Sequence, residues 1–287
     1  MALVHALNSR FLAPNRRIER HPFAFAPRIL GNSPRRANKD RVACPRSSAE
    51  ETKPKTVFVA GANGKTGKRI VSKLLADGFK VRAGVLDVAK ARSNLPSSPN
   101  IEIIPADVTQ GTNPLATSIG DADAVICATG FRYSLDVLAP WKVDYRGTLN
   151  LVEACRKNGI KRFVLISSIL VNGAAWGQAL NPAYLVLNAF GLTLIAKLQA
   201  ENYVRSSGIN YTIIRPGGLS EEKPDGNKKI VMAKQDTLSS GSISRDLVAD
   251  VAVESIDCDD ASFKVVEIVA EPGAQKQSIA ELFALIS

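Results

Sequence analysis

From Thr56 onward, short apolar runs rich in β-branched residues alternate with stretches of helical periodicity. The apolar runs are continuous, with no polar residue at every second position, which indicates strands buried on both faces of a parallel sheet. Strands are predicted at Thr56–Ala60, Lys80–Val85, Ile101–Pro105, Ala124–Ala128, Arg162–Ser167 and Tyr211–Arg215, with two short ones at Ile230–Ala233 and Lys264–Val269.

The stretches between these strands have the period of amphipathic helices. Helices are predicted at Gly67–Asp77, Val88–Leu95, Asn113–Ile119, Lys142–Asn158, Leu187–Ser207, Ser244–Ile256 and Ile279–Leu285. Right-handed crossovers between parallel strands then lead to a doubly wound α/β sheet, the Rossmann arrangement. We predict one such domain over residues 55–287, in which residues 220–287 form a small C-terminal subregion over the strand ends.

The first 48 residues have a different composition. They are rich in Arg, poor in acidic residues and interspersed with Pro and Ser. No apolar segment follows a charged start, so the pattern is typical of an organelle transit peptide and not of a secretory signal. We predict a disordered plastid transit peptide over residues 1–48, cleaved near Cys44. A mitochondrial presequence and an untargeted disordered tail are the alternatives.

Charge and residue usage exclude several functions. The first fifty residues hold ten Lys and Arg against three Asp and Glu, which accounts for +7 of the net charge of +10. The remainder therefore has too little positive charge to predict a nucleic-acid surface. No apolar run approaches the roughly 18 residues of a membrane span. The four Cys are widely spaced and both His precede residue 22, so no metal site, disulfide framework or His-based chemistry is expected.

The first predicted strand runs directly into a helix through a loop with glycines at positions 61, 64 and 67. The first glycine allows the turn, the second lets backbone N–H groups approach a pyrophosphate, and the third lets the helix pack on the strand. The helix start then offers unpaired N–H groups to phosphates. This position at the first strand–helix junction makes the pattern specific. The dinucleotide contacts predicted from the loop are Gly61, Asn63, Gly64, Lys65, Thr66 and Gly67.

Further motifs follow the loop in order. They are Ala106-Asp107-Val108, Ala128-Thr129-Gly130, Val143-Asp144-Tyr145-Arg146-Gly147-Thr148, Ser167-Ser168 and Ile214-Arg215-Pro216-Gly217. Together with the loop they resemble atypical short-chain dehydrogenase/reductases of the biliverdin/flavin-reductase and NmrA-like kind, in particular plant plastid members and the Rossmann domain of a plastid import-translocon component. The resemblance extends from about Lys55 to the C-terminus.

The resemblance implies positions for the cofactor. Asp107 and Val108 are expected to flank the adenine, and Pro216 to close over the nicotinamide side. Ala128, Thr129 and Gly130 are expected to lie along the cofactor at the fourth strand end. Lys197 stands where the family lysine stands and is expected to bind the nicotinamide ribose. Ser167 is placed on the substrate side. Ser167 and Lys197 are the catalytic candidates.

The sequence leaves the choice between NAD and NADP open. Reductase relatives have an Arg just after the second strand, where this chain has Leu86 followed by Asp87. Three nearby cations, Lys65, Lys90 and Arg92, offer charge-assisted bonds to a 2′-phosphate. Because a plastid reductase commonly uses NADPH, we favour NADP(H) over NAD(H).

The Tyr-x-x-x-Lys proton relay of many reductases is incomplete here. Thr193 occupies the position of the Tyr, four residues before Lys197. A Thr hydroxyl is a poor acid at neutral pH. Hydride transfer then requires an acceptor that stabilises the resulting charge itself, such as a flavin, quinone or linear tetrapyrrole. We therefore predict a plastid NAD(P)(H)-binding protein that is an oxidoreductase with a small-molecule acceptor. A non-catalytic NADP(H) redox sensor and a scaffold, peripheral on a thylakoid or plastoglobule surface, are the alternatives.

Overall fold

The computed structural model describes residues 55–130, 136–189, 191–224 and 227–286. The predicted transit peptide, residues 1–48, lies outside these described residues. The strands are β1 Thr56–Ala60, β2 Lys80–Val85, β3 Ile101–Pro105, β4 Ala124–Cys127, β5 Arg162–Ile166, β6 Asn210–Pro216, β7 Gly218–Ser220, β8 Lys228–Lys234, β9 Ser242–Ser244 and β10 Lys264–Pro272. The α-helices are α1 Gly67–Ala76, α2 Val88–Asn94, α3 Thr112–Ile119, α4 Gly147–Asn158, α5 Pro182–Ala189, α6 Thr193–Ser206, α7 Arg245–Glu254 and α8 Ile279–Leu285.

Eight of the strands form one sheet in the order β3-β2-β1-β4-β5-β6-β10-β8, and β7 pairs with β9 in a small second sheet. All pairings in the large sheet are parallel except that of β8 with β10. The order reverses between β1 and β4, which pair through Ala60 and Cys127 at their carboxyl ends. This arrangement confirms the predicted doubly wound α/β Rossmann fold. In such sheets ligands bind in the crevice at the reversal point.

The continuous apolar runs are explained by cores on both faces of the sheet. Alternate residues of β1 enter opposite cores. Val57 and Val59 pack on the α1 and α7 side, whereas Phe58 and Ala60 pack on the α3 and α4 side. Full burial of a side chain such as Phe58 contributes about 1.5–3 kcal/mol. A Cβ at Gly84 of β2 would lie 2.6 Å from the end of the Phe58 ring, so the ring packs where β2 has no side chain.

One predicted helix is wrong. Leu187–Ser207 is not a single helix, because α5 and α6 are separate and meet at an angle of 88°. Gly191 and Leu192 have φ of 75° and 58°, which a right-handed helix cannot include. The side-chain oxygen of Asn188 then accepts hydrogen bonds from the N–H groups of Leu194 and Ile195, and so satisfies the start of α6.

Two other elements refine the predictions. The helix predicted from Lys142 begins as a wider π-helical turn, Trp141–Arg146, which continues into α4. The predicted C-terminal subregion adds β10 and β8 directly to the large sheet.

No single helix in the described ranges is both long and apolar enough to cross a membrane, although α5 and α6 taken together pass that test by length and composition.

Candidate functional site

The loop between β1 and α1 is folded so closely that its glycines are required. Gly61 has a left-handed φ of 76°, and its N–H donates to the carbonyl of Gly84 on β2 over 3.1 Å. A Cβ at Gly61 would lie 3.0 Å from the carbonyl oxygen of Ala128, just beyond β4. A Cβ at Gly67 would lie 2.2 Å from the Gly61 carbonyl oxygen. Any side chain at these positions would therefore distort the loop.

The same loop carries polar groups that have no partner in the described part of the chain. The buried side-chain oxygen of Asn63 accepts no hydrogen bond. The backbone N–H groups of Lys65 and Thr66 donate to none of the described residues, and no side chain caps α1. Buried polar groups are normally paired, and a helix N-terminus attracts phosphate. A dinucleotide fits these residues, because its pyrophosphate accepts from the N–H groups and its ribose hydroxyls can donate to Asn63.

Residues from four segments meet at the carboxyl edge of β4 and β5. They enclose a cavity of about 10 Å³, which has room for about one water molecule. The cavity is lined by Thr129, Asp144, Thr148, Leu165, Ile166, Ser167, Lys197 and Ala200. The structure therefore brings together three of the residues predicted from the sequence, Thr129, Ser167 and Lys197.

The central contact of this cavity is an ion pair. The Nζ atom of Lys197 on α6 lies 2.7 Å from Oδ1 of Asp144, which belongs to the π-helical turn before α4. The side chain of Asp144 is only 1% exposed and that of Lys197 is 18% exposed. Lys197 is therefore not a solvated surface cation. Gly130 lies beside the pair, since a Cβ there would be 3.9 Å from the same carboxylate oxygen.

The environment of Lys197 determines its protonation state. Burial by itself would lower the pKa of the ammonium group, but the charge and hydrogen bond of Asp144 outweigh burial and raise the pKa of Lys197 above its ordinary value. Lys197 is therefore a cation at neutral pH. It can donate hydrogen bonds to ribose or carbonyl oxygens, but it cannot act as a general base there.

Ser167 is connected to a second group of charges. Its hydroxyl donates to a carboxylate oxygen of Glu201 over 2.5 Å. Glu201 in turn pairs with Arg215, whose Nη2 lies 2.7 Å from Oε2 of the carboxylate. Because its proton is directed to Glu201, Ser167 is arranged to accept a hydrogen bond from a ligand and not to donate one. Its predicted catalytic role stays a prediction.

Arg215 is the centre of this buried cluster. Its side chain is 1% exposed and contacts Glu201, Asp236 at 2.8 Å and Glu267 at 3.3 Å. Burial by itself would lower the pKa of Arg215, but the carboxylates of Glu201 and Asp236 raise it. Glu267 also accepts from the backbone N–H groups of residues 236–238. Through Glu201, which lies on α6, the cluster is connected to Ser167.

Asp144, Glu201, Arg215 and Glu267 are the site residues that sequence reasoning missed. A signal existed for Asp144, because it lies within one of the family motifs, between apolar positions of a predicted helix. The buried carboxylates of Glu201 and Glu267 had no such signal, since they lie 14 and 52 residues from Arg215.

The structure shows where Thr193 and Tyr184 lie relative to Lys197. Thr193 is buried at the first position of α6, one turn before Lys197. Tyr184 lies on α5, beyond the bend, and packs against Gly173. It does not line the cavity around Lys197. Among the described residues, no tyrosine takes the place of the missing phenol in that lining.

The remaining predicted cofactor contacts lie along the same edge. Asp107 follows β3 and its carboxylate accepts from the backbone N–H and the hydroxyl of Thr109. Val108 is buried against Gly147. Pro216 ends β6, and its carbonyl accepts from the N–H of Ile169 after β5. The roles assigned to Asp107, Val108 and Pro216 stay predictions.

The region after β2 bears on the choice of cofactor. Leu86 is 78% exposed, and the Asp87 carboxylate accepts from the N–H of Lys90 to cap α2. Lys90 and Arg92 are exposed on that helix. Lys65, the third candidate cation, lies 3.2 Å from Glu221.

The three cysteines in the described part of the chain lie in the core. Cys127, Cys155 and Cys258 are buried. Burial raises the pKa of Cys127 and of Cys155, so neither forms a thiolate nucleophile at neutral pH. Within the described ranges, no group of three or more His, Cys, Asp and Glu side chains is arranged to hold a metal ion.

Comparison with known proteins shows which family the chain is similar to. The profile of a family described as NAD(P)H-binding matches residues 61–259. An uncharacterised chloroplastic protein of Arabidopsis thaliana is 62% identical over 235 residues, which cover 82% of this chain and 83% of that protein. The chloroplastic protein TIC 62 of Pisum sativum is 35% identical over 239 residues, 76% of this chain but only 43% of that longer protein. The oxidoreductase ylbE from Lactococcus lactis has a similar solved structure, with a TM-score of 0.66 and 27% identity over 80% of this chain and 95% of that one.

Proposed function

The chain belongs to the NAD(P)H-binding family, and on that basis we propose that it is a plastid oxidoreductase that uses NADP(H) to reduce a small-molecule acceptor without a Tyr–Lys proton relay. The observation that carries this proposal is the buried Lys197–Asp144 pair, one turn after Thr193 and beside the end of β4. The pair places a fixed cation at the edge where the cofactor is expected. Because the pKa of Lys197 is raised, this cation does not readily give up a proton to a substrate.

The preference for NADP(H) is supported by the region after β2. An NAD site commonly has a carboxylate for the ribose 2′-hydroxyl, whereas a 2′-phosphate is held by cations. The Asp87 carboxylate already caps α2 through one oxygen, while Lys90 and Arg92 point from the same helix into solvent. These residues fit a 2′-phosphate better than a free hydroxyl.

The bound nicotinamide would supply a hydride to the acceptor. The protein's part is then to bind, orient and exclude water. We expect Lys197 to donate to the ribose hydroxyls, Thr129 and Gly130 to line the cofactor, and Ser167 to accept a hydrogen bond from the nicotinamide or the acceptor. A flavin, quinone or tetrapyrrole suits this site because each of them delocalises the charge that it receives.

A redox sensor that binds NADP(H) without turnover is the second candidate. The small size of the cavity beside Lys197, about 10 Å³, favours it. The full chain should be mixed with NADPH or NADH and a panel of flavins, quinones and bilins, and cofactor oxidation followed by absorbance. Turnover with any acceptor supports the oxidoreductase. Tight NADPH binding without turnover supports the sensor.

We also propose a plastid location. The Arg-rich residues 1–48 and the chloroplastic relatives support it. The full chain with a fluorescent reporter at its C-terminus should accumulate in chloroplasts of leaf cells, and the same fusion without residues 1–48 should stay in the cytosol. Accumulation of the full-length fusion in mitochondria would contradict this proposal.

A further inference from the structure

Exposed apolar side chains are concentrated beside the site. Ten large apolar side chains are strongly exposed among the described residues, and six of them lie on two adjoining segments. We name these six the apolar face: Val137, Leu138, Leu180, Leu185, Val186 and Leu192. The segments adjoin because a Cβ at Gly191 would lie 2.1 Å from the carbonyl oxygen of Val137. Exposed apolar side chains grouped in this way are typical of a binding surface.

The centre of the apolar face is α5, which has no buried side chain. Residues near both ends of this helix contact segments that belong to the site. Tyr184 packs against Gly173 and the core formed by residues 169–171, which begins two residues after Ser167. Asn188 accepts from the first N–H groups of α6, the helix of Lys197. The apolar face therefore borders the substrate side of the site.

The segment that contains α5 also lacks charged residues. Residues 163–196 include no Asp, Glu, Lys, Arg or His over 34 consecutive positions. On the adjoining segment Asp136 and Lys142 form an ion pair of 2.7 Å and so neutralise each other. An acceptor with carboxylates or a phosphate would find no counter-ion along α5, and an unpaired charge placed on apolar surface is unfavourable.

We propose that the apolar face binds the hydrocarbon tail of an uncharged acceptor, and that the acceptor class is a quinone with a long alkyl or isoprenoid tail. This inference rests on the proposed function and selects among the acceptors considered there, since bilins carry carboxylates and flavin mononucleotide a phosphate. The quinone takes up a hydride from the reduced nicotinamide and one proton from solvent, which yields the hydroquinone and the oxidised nicotinamide.

The experiment compares two quinones with the same ring, one with a decyl tail and one without. A fully buried methylene improves binding by roughly four-fold, so partial burial of the tail should raise kcat/KM at least about 10-fold. The double variant Leu185→Ser/Val186→Ser should reduce that advantage to less than about three-fold. Rates with the tail-less quinone and the Kd for NADPH should not change.

Leu285→Ser is the matched control, because Leu285 is 64% exposed on α8, outside the apolar face. It should keep the full tail advantage. Because both positions on α5 are exposed, the double variant should fold normally, which circular dichroism checks. Binding of the decyl quinone to the full chain saturated with NADP⁺, measured by quenching of tryptophan fluorescence, gives a second result that does not depend on turnover.

The possible outcomes separate the two proposals. Turnover with an equal rate for both quinones, or an advantage that survives the double variant, would overturn the inference and leave the oxidoreductase standing. Absence of turnover with every acceptor, together with no quenching by the decyl quinone, would overturn both. If the double variant instead abolished dimer formation or binding to neutral-lipid vesicles, while both quinones reacted equally, the face would belong to a second copy or to a lipid surface.

Discussion

The two halves of the site are held together by different forces. In the cofactor half, the N–H groups of Gly61 and Ala62 fix the loop to a carbonyl of β2, and close contacts exclude any Cβ. In the α6 half, buried side-chain charges set the geometry through Lys197 with Asp144 and Arg215 with its three carboxylates. The first half is therefore sensitive to added atoms. The second is sensitive to the loss of one member of a pair.

Burial explains why the charged half depends on its pairs. Around the glycine loop, Glu221 pairs with Lys65, Arg69 and Arg245, but its side chain is 48% exposed. Such surface pairs contribute about 0–1 kcal/mol. Removing one partner from a buried pair costs about 3–5 kcal/mol, because the other charge is left without compensation. The largest effects are accordingly expected at Arg215.

Arg215→Leu should lower the free energy of unfolding by about 3–5 kcal/mol, because Glu201 and Glu267 would remain buried without their cation. Urea denaturation of the full chain measures this. Arg156→Leu is the control, since Arg156 is 55% exposed and pairs with Glu153, one helical turn away. It should change the value by less than about 1 kcal/mol. A similar small change in Arg215→Leu would show that the buried cluster does not hold the α6 half.

In the cofactor half, Gly64→Val should weaken NADPH binding at least about 100-fold while the protein stays folded. A Cβ at Gly64 would lie 3.0 Å from the Gly61 carbonyl oxygen, a tight contact that shifts the loop. Losing one or two hydrogen bonds to a charged phosphate, each worth about 1.5–3 kcal/mol, accounts for that factor. Isothermal titration calorimetry gives the affinity.

The matched control for Gly64→Val is Ala76→Val, which adds the same branched side chain at the exposed far end of α1. It should leave the NADPH affinity unchanged. If Gly64→Val folded and bound NADPH like the native chain, the assignment of the loop to the pyrophosphate would be wrong.

The contrast between the halves also explains what could be predicted from the sequence. The glycine loop is a local pattern, so its turn and the strand and helix on each side were found at their observed positions. The break between α5 and α6 was missed, although Gly191 is a stop signal. The apolar periodicity continues across it, and only the close contact with the Val137 carbonyl shows why glycine is needed there.

The buried carboxylates around Arg215 could not be predicted, for a different reason. Arg215 ends an apolar strand and pairs with carboxylates 14, 21 and 52 residues away. Nothing in the composition of any one segment indicates that these side chains are buried, because only the sheet order brings β6 beside β10. For the same reason Lys197 could be placed on α6 but not recognised as the partner of Asp144.

Asp144→Asn tests that pair through pH. In the native chain the pKa of Lys197 is raised, so its contribution to stability is complete at neutral pH and is lost as the pH rises above about 10. Without Asp144, burial should lower the pKa of Lys197. At pH values between the lowered pKa in the folded state and the ordinary pKa in the unfolded state, the unfolded state would bind more protons than the folded state. The stability of the variant should therefore increase with pH over this range.

At pH 7 the variant Asp144→Asn should be less stable than the native chain by about 1–3 kcal/mol, the cost of a buried donor that loses its charged partner. Urea denaturation at pH 7, 8.5 and 10 should show this difference becoming smaller as the pH increases. Lys142→Gln, which breaks the exposed pair with Asp136 in the same turn, should show only a small difference at each pH. A difference for Asp144→Asn that is the same at all three values would mean that Lys197 is not the group responsible.

The smallest effect is expected from Thr193→Ala. This variant distinguishes a proton relay along α6 from a helix that only positions the cofactor. If the Thr193 hydroxyl replaced the phenol of a proton relay, its removal would reduce kcat by about 10²–10⁴-fold. We expect less than a three-fold change with any acceptor that is reduced, because Lys197 stays protonated beside Asp144 and no proton has to pass along α6. Lys197→Met should instead weaken cofactor binding. Tyr184→Phe should leave both quantities unchanged, since its helix lies beyond the bend. A loss of 10²-fold or more in Thr193→Ala, with NADPH affinity intact, would establish a relay through this hydroxyl and refute a purely positioning role for α6.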